Sequence, residues 1–265
     1  MLSFTDQLQR HIIIPDYPKR IVSIVPSQTE LLYDLGLEEE VVGITKFCVH
    51  PEKWFRTKTR IGGTKQINYT KIAELKPDLI IANKEENTKE IIDTLANDYP
   101  VWVSNIINLQ DALQMIRSVG AIVNKTIEAN QLADKISDAF NSLEKADQPK
   151  RVAYFIWYNP WMTVGHDTFI SNMINSIGWN NVFAGRSRYP EISLKELAAA
   201  DPELVLLSSE PYPFKEKHIA EIKEVLPAAK VMLVDGEMFS WYGSRLLKAV
   251  DYFRLFLQHV KTNAY

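Results

Sequence analysis

The stretch RIVSIVPSQTELLYDLG, residues 20–36, decides the fold. Its first part, residues 20–25, is a short apolar run that predicts a buried strand, and Pro26 ends that run. Ser27 with Glu30 three residues later is typical of a capping box, which predicts a helix with Ser27 as its N-cap. Gly36 is suited to end this helix in the left-handed conformation. A buried strand that leads directly into a helix favours the α/β class.

The same alternation continues along the first half of the chain. Apolar runs at 41–44, 79–82 and 101–103 predict further strands, and helical patterns lie between them at 72–76 and 90–96. Strands that alternate with helices indicate a mostly parallel sheet with helices on both faces.

After residue 149 the pattern begins again. Residues 151–156 repeat the first strand pattern, residues 167–177 predict a helix, and residues 195–207 echo residues 73–81. We therefore predict an α/β protein of two lobes, each with a mostly parallel central sheet flanked by helices. The first lobe is expected over 1–107 and the second over 149–265.

A helical segment, residues 108–148, separates the two patterns. Its second helix is predicted over 126–146, a stretch without glycine or proline, and at 1.5 Å per residue it would be about 30 Å long. We expect this single long backbone helix to join the lobes and to allow little closure. Ligands of parallel sheets bind at the carboxyl ends of the strands, so a preformed cleft between the lobes is the expected site.

Composition excludes several classes of protein. The chain has 265 residues, a net charge of −3 and a single cysteine, Cys48. There is no overall basic charge to suggest nucleic-acid binding, and no internal disulfide is possible. No apolar run approaches the length of a membrane span. The first ten residues, MLSFTDQLQR, do not resemble a signal peptide, which predicts a cytoplasmic protein as given, or a periplasmic or membrane-associated one if a signal was removed. We expect a monomer.

Loops that follow the predicted strands carry the candidate ligand-binding residues. Glu210 and Tyr212 also follow a strand, and four tryptophans lie beyond residue 150. Aromatic side chains on such loops suggest a flat or π-rich ligand. We predict that Trp157, Trp161, Trp241 and Tyr242 form one wall, with Lys46, Lys84 and Arg245 neutralising ligand carboxylates. The candidates are Lys46, Phe47, His50, Lys65, Lys84, Glu85, Trp157, Tyr158, Trp161, His166, Tyr189, Glu237, Trp241, Tyr242 and Arg245.

Other chemistries are less well supported by the residues. Donors for zinc or iron occur at Cys48, His50, His166 and Glu237, but without a ligand-type spacing. Cys48 and His50 are too far apart on an extended segment to form a nucleophile and base, which favours Cys48 as a small buried residue. The run GGTK at 62–65 lacks the P-loop order and predicts a turn. No catalytic residue, resident metal or intrinsic cofactor is therefore predicted.

Several stretches together resemble a known family. The sequence is similar, over residues 4 to about 258, to the class III substrate-binding proteins of ABC importers for cobalamin, iron–siderophores and haem. The LKPDL strand entry at 75–79 and the loop and helix that begin at residue 162 look most like the cobalamin branch. The stretches are RIVSIVPSQTELLYDLG (20–36), VVGITKFCVHP (41–51), RIGGTKQIN (60–68), KIAELKPDLIIA (71–82), MTVGHDTFISNMINSIGWNNVF (162–183) and YPEISLKELAAADPELVLLSS (189–209).

This resemblance implies non-catalytic binding of a metal chelate such as a corrinoid, haem or ferric siderophore, with an ABC permease as a possible partner. It also shows departures. A family tryptophan corresponds to Thr64 or Lys65, and an aromatic residue corresponds to Asn83. The glutamates that dock a permease align with Thr70 and Lys195. The alternatives are a cytoplasmic enzyme or chaperone of corrinoid or metal metabolism on the same fold, or direct metal-ion binding.

Overall fold

The computed structural model describes residues 1–262, which form two compact units. The first unit consists of residues 1–106, 110–137 and the short segment 242–245. The second consists of residues 107–109, 138–241 and 246–262. The division into 1–107, 108–148 and 149–265 stays a prediction.

A parallel sheet forms the centre of the first unit. Its five strands have the order β5-β4-β3-β6-β7, and all neighbouring pairs are parallel. β3 and β6 are buried along their whole length, as expected of strands that are covered on both faces. A hairpin of β1 and β2, which the sequence analysis did not predict, precedes this sheet. The elements up to residue 141 are β1 Leu2–Thr5, β2 His11–Ile14, β3 Ile21–Ser23, α1 Pro26–Asp34, β4 Val41–Ile44, α2 Glu52–Thr57, β5 Thr59–Arg60, α3 Tyr69–Leu75, β6 Leu79–Asn83, α4 Lys89–Ala96, β7 Val101–Ser104, α5 Leu109–Ile122 and α6 Thr126–Asn141.

The start of α1 differs from the prediction. The helix begins at Pro26, its N-cap is Val25 in an extended conformation, and no side chain caps it. Proline is tolerated at the first helical position because the N–H it lacks has no partner there. The predicted capping box of Ser27 and Glu30 is therefore wrong. The predicted end is confirmed: Gly36 has φ +77°, and its N–H donates to the Tyr33 carbonyl.

Helix α6 is shorter than predicted. It ends at Asn141, not at residue 146, and its 16 residues span about 24 Å. The chain leaves the helix because the Ala146 N–H donates to the Ile177 carbonyl, 3.0 Å away, instead of continuing the helical ladder. Gly178, with φ +84°, lies against this segment, and a Cβ there would be 3.1 Å from the Lys145 Cβ.

The second unit is built around a second, mostly parallel sheet. The order is β10-β8-β11-β12, and the short β9 pairs antiparallel with β8. Its core packs Phe155, Leu207 and Ile222 with other apolar side chains. The α/β class with mostly parallel sheets is thus confirmed. The elements are β8 Arg151–Trp157, β9 Met162–Thr163, α7 Phe169–Ser176, β10 Asn180–Asn181, α8 Leu194–Ala200, β11 Leu204–Ser208, α9 Glu216–Val225, β12 Lys230–Val234, α10 Glu237–Ser240 and α11 Leu246–Thr262.

Within residues 1–262, none of the helices combines the length and the apolar character that crossing a membrane requires.

Candidate functional site

A group of aromatic side chains lies at the carboxyl ends of β8 and β11. These strands are parallel neighbours, so the loops that follow them meet. Trp157 is the last residue of β8, Tyr158 follows it, and Tyr212 lies in the loop after β11. The Tyr212 ring centroid is 5.8 Å from that of Trp157 and 5.6 Å from that of Tyr158. We call Trp157, Tyr158 and Tyr212 the aromatic platform.

Exposure of the platform leaves aromatic surface available for contact. Trp157 is 41% exposed, although tryptophan is a residue that proteins usually bury. Tyr158 and Tyr212 are half-buried. The Glu221 side chain accepts a hydrogen bond from Tyr158, and this contact and the Glu221 charge raise the pKa of the Tyr158 phenol. The platform therefore offers ring faces, and its Tyr158 hydroxyl stays neutral.

A buried layer of rings supports the platform. Trp161 stacks on Phe214, with ring centroids 5.7 Å apart and an interplanar angle of 15°. The Tyr158 ring meets the Trp161 ring edge-on at 4.9 Å. Trp161 is only 8% exposed and also contacts Phe155 in the core. Such edge-on and stacked pairs are favourable geometries for aromatic rings.

His218 is part of this buried layer. It is 1% exposed, lies in the first turn of α9, and its ring centroid is 4.7 Å from that of Tyr158. Its Nε2 is 3.2 Å from the Tyr212 hydroxyl. Its Nδ1 is 2.9 Å from the Lys215 backbone nitrogen and 3.1 Å from the Lys215 carbonyl. His218 and Phe214 were not among the predicted site residues, although the run PYPFKEKH at 211–218 places two rings and an imidazole directly after a strand.

Trp241 and Glu237 lie in a second polar group of the same unit. Trp241 is 6% exposed, and its indole N–H donates to Glu210 Oε1 over 2.9 Å. The Ser240 hydroxyl donates to the same oxygen over 2.8 Å. Burial raises the pKa of the Glu210 carboxyl, and the nearby charges of Glu237 and Asp235 act in the same direction. Glu210 thus accepts hydrogen bonds from the last residue of the short helix α10 and from the residue that follows it.

The predicted wall of four rings is therefore not one exposed surface. Trp161 and Trp241 are buried in the second unit, and Trp157 is the tryptophan with an open ring. Tyr242 is 7% exposed and belongs to the first unit. Ligand contacts for these residues stay predictions, with Trp157 and Tyr158 the best placed.

Arg245 also belongs to the first unit, where it forms a buried ion pair. Its Nε and Nη2 donate to the two carboxylate oxygens of Glu30 over 2.7 and 2.8 Å. Both side chains are 5% exposed. Gly243 allows this approach, because a Cβ there would lie 2.6 Å from the Ser27 carbonyl oxygen. Arg245 was predicted to neutralise a ligand carboxylate, but its guanidinium is occupied by Glu30.

Other candidates of the first unit follow β4 and β6. Phe47 is 50% exposed and its ring lies against Gly63, where a Cβ would be 3.1 Å from the ring edge. The Lys46 Nζ is 5.0 Å from the Phe47 ring centroid, a distance at which a cation and a ring attract. His50 and Glu85 are half-buried, and Lys65 and Lys84 are exposed.

Two candidates of the second unit lie on exposed loop segments. His166 is exposed and its Nδ1 is 2.7 Å from the Arg186 carbonyl, while the half-buried Tyr189 ring lies 5.7 Å from the Arg188 guanidinium carbon.

Alternative chemistries find little support. Among residues 1–262, no three His, Cys, Asp or Glu side chains are grouped so that they could hold a metal ion. Cys48 is buried, with the Thr29 and Thr45 hydroxyl oxygens 3.1 and 3.2 Å from its sulfur. Burial raises the pKa of the Cys48 thiol, which disfavours the thiolate that a nucleophile needs. The GGTK run forms the predicted turn, with Gly62 at φ +111°.

A cavity of about 640 Å³ lies elsewhere in the second unit, where residues 142–150 pack on α11. These residues precede β8, so the cavity is at the amino end of the sheet. Several of its charged groups form ion pairs: Lys261 with Asp147, and Lys150 with Glu203. The aromatic platform, at the carboxyl end of the strands, is the better candidate because ligands of parallel sheets bind there.

Comparison with known proteins identifies the family. The family model described as "Periplasmic binding protein" matches residues 21–230. The chain belongs to this family. Among its relatives is the uncharacterized ABC transporter substrate-binding lipoprotein YvrC of Bacillus subtilis, which is 26% identical; the match covers 94% of this chain and 83% of that protein. The vitamin B12-binding protein of Yersinia pestis is also 26% identical, over 72% of this chain and 69% of its own length.

Solved structures of periplasmic binding proteins share the fold. The periplasmic vitamin B12 binding protein BtuF of Vibrio cholerae has a TM-score of 0.75 at 23% identity, covering 94% of this chain and all of that one. The periplasmic heme-binding protein RhuT of Roseiflexus sp. RS-1 has a TM-score of 0.79 at 19% identity, covering 91% and 98%. Members of this family bind ligands and are not enzymes, and the resemblance found in the sequence is confirmed.

Proposed function

We propose that this periplasmic binding protein family member binds a flat, conjugated metal chelate of the tetrapyrrole class, such as haem or vitamin B12, and delivers it unchanged to an ABC permease. The observation that carries the proposal is the aromatic platform, with Trp157 41% exposed at the carboxyl end of β8. The relatives named for vitamin B12 and heme binding support the choice of ligand class.

Stacking of a flat ligand on the aromatic platform would contribute substantially to the binding affinity. An aromatic pair in a favourable geometry contributes about 0.5–1.5 kcal/mol beyond the burial of its area. Contacts of one ligand with both Trp157 and Tyr212 would then contribute about 1–3 kcal/mol, or roughly five- to 150-fold in the dissociation constant. The edge-on packing of Tyr158 against Trp161, at 4.9 Å, keeps the platform from rearranging.

The test is a titration of the purified chain with haemin and with cyanocobalamin, with ferric siderophores as the non-tetrapyrrole comparison. Binding is followed by the ligand absorption spectrum and by equilibrium dialysis, because substitution of Trp157 removes a fluorophore. Trp157→Ala is expected to weaken binding of the preferred tetrapyrrole by about two- to thirteenfold. Leu255→Ala is the matched control, since Leu255 is a large apolar side chain of the same unit that is 67% exposed on α11.

Two results would overturn the proposal. One is binding of none of these probes, or of the siderophores only. The other is recovery of the bound probe in a chemically altered form, which mass spectrometry of the extracted ligand would detect and which would indicate an enzyme.

A further inference from the structure

The hydroxyl group of Tyr212 forms a hydrogen bond with the buried side chain of His218. The two atoms, Tyr212 Oη and His218 Nε2, are 3.2 Å apart, and His218 is 1% exposed. Ring contacts also surround the Tyr212 side chain: it meets Trp157 and Phe214 edge-on and Tyr158 at a tilt. The hydrogen bond to His218 fixes its hydroxyl end. The loop that carries Tyr212 contains Pro211 and Pro213 on either side of it.

We propose that His218 is a positioning residue for ligand binding: through its hydrogen bond it fixes the Tyr212 ring beside Trp157, and so sets the affinity of the aromatic platform for flat ligands. This inference rests on the proposed function of the platform. His218 does not touch the ligand, because its ring lies in the buried layer among Tyr158, Trp161 and Phe214.

Burial of an imidazole here requires a reason beyond packing. A polar ring that is removed from water costs free energy unless its nitrogens are paired, and an apolar ring would fill the same space without that cost. Both nitrogens of His218 have partners: Nδ1 at the Lys215 main chain and Nε2 at Tyr212. In either tautomer of the neutral ring, Nε2 can pair with Tyr212, because a phenol hydroxyl both donates and accepts.

The two nitrogens have separable tasks. Nδ1 pairs with the backbone at Lys215, the N-cap of α9, and so supports the start of that helix. Nε2 pairs with the side chain of Tyr212 and so acts on the platform. Asparagine at this position can replace Nδ1 but does not reach Tyr212. Glutamine places its terminal amide near the position of Nε2 but loses the contact with Lys215.

This pair of substitutions separates positioning from stability. We expect His218→Asn to retain most of the thermal stability and to weaken binding of haemin or cyanocobalamin by about two- to tenfold, the effect of one lost hydrogen bond. We expect His218→Gln to lower the melting temperature and to keep the affinity near that of the unmodified chain. Tyr212→Phe should weaken binding as much as His218→Asn, and the double substitution should add no further loss.

A measurement without ligand tests the same geometry. Near-ultraviolet circular dichroism and acrylamide quenching report on the surroundings of Trp157 when each spectrum is compared with that of a Trp157→Phe chain. His218→Asn and Tyr212→Phe should change both signals, and His218→Gln should not.

The outcomes distinguish the two proposals. Affinity that follows the melting temperature across the three variants would overturn the positioning role, because a purely structural residue behaves in that way. Unchanged Trp157 signals and unchanged affinity in His218→Asn would also overturn it. If the unmodified chain binds no tetrapyrrole, the proposed function fails, and the positioning role fails with it as a statement about affinity.

Discussion

The buried ion pair of the first unit gives the sharpest test of stability. Glu30 and Arg245 lie 215 residues apart in sequence, are joined by two hydrogen bonds of 2.7 and 2.8 Å, and are each 5% exposed. Removing one partner of such a pair leaves an uncompensated buried charge, which costs about 3–5 kcal/mol. We therefore expect Arg245→Met and Glu30→Gln each to lower the free energy of unfolding of the first unit markedly.

The double substitution Glu30→Met with Arg245→Met provides the decisive comparison. Replacing a whole buried pair by apolar groups is often neutral or stabilising by about 1–4 kcal/mol, so the double variant should be more stable than either single variant. Urea unfolding at pH 7, followed by tryptophan fluorescence, to which Trp54 and Trp102 of the first unit contribute, measures each free energy. A broad or two-step transition requires separate treatment of each unit.

A matched control is available within the same unit. Arg117 forms an ion pair with Asp134 at 2.7 Å, but the two side chains are 40% and 67% exposed. Exposed pairs contribute little, so Arg117→Met should leave the unfolding curve almost unchanged. Single variants at Arg245 and Glu30 that behave like the control, or a double variant that loses the sum of the single effects, would refute the reasoning.

Three further predictions concern single side chains. Burial raises the pKa of the Glu210 carboxyl above the usual 4.5. The stability that this carboxyl contributes when protonated is therefore lost as pH rises through its pKa in the folded state. In urea unfolding, the Glu210→Gln variant should be as stable as the unmodified chain at pH 4 and more stable at pH 7, and a difference that is the same at both pH values would contradict this. Gly243→Ala should cost about 1–3 kcal/mol, since the new Cβ meets the Ser27 carbonyl at 2.6 Å, whereas Gly185→Ala, with open space around it, should be neutral in the same urea assay. The Cys48 thiol, buried and with a raised pKa, should react with a thiol reagent at pH 7 only on unfolding; rapid labelling of the folded chain would argue against the environment described.

Local sequence patterns predicted most of the strands in the two parallel sheets. The runs that became β3, β4, β6, β7, β8 and β11 were recognised because strands buried on both faces are continuous apolar segments. The end of α1 was recognised because a left-handed glycine has a local cause. These elements depend on residues close together in the chain, and a pattern of neighbours is sufficient to find them.

Long-range contacts explain the errors. Ser27 and Glu30 have the spacing of a capping box, but Glu30 pairs with Arg245, which the sequence places 215 residues away. The helix predicted over 126–146 ends at Asn141 because the Ala146 N–H finds the Ile177 carbonyl. In both cases a partner that is distant in sequence replaces a local one. The periodicity of the sequence does not reveal such a long-range partner.

The candidate site, too, was predictable where local sequence decides the structure and not where long-range contacts decide it. Position after a strand correctly drew attention to Trp157 and Tyr158, because the carboxyl ends of parallel strands lie at one edge of the sheet. Position could not separate the exposed Trp157 from the buried Trp161, four residues later, since burial depends on Phe155 and Phe214. His218 was missed because a lone histidine in a helix has no spacing signal.

The exposure of Trp157 is significant because of the groups around it. A single exposed apolar side chain is ordinary on a protein surface. Here the exposed indole contacts Tyr212, Tyr212 is paired with the buried His218, and His218 packs against Tyr158. Holding an aromatic surface in one geometry with a hydrogen bond to a buried imidazole has no use in a surface that touches only water. It is useful where a flat ligand must find its partners already oriented, because groups that are fixed beforehand lose less entropy on binding.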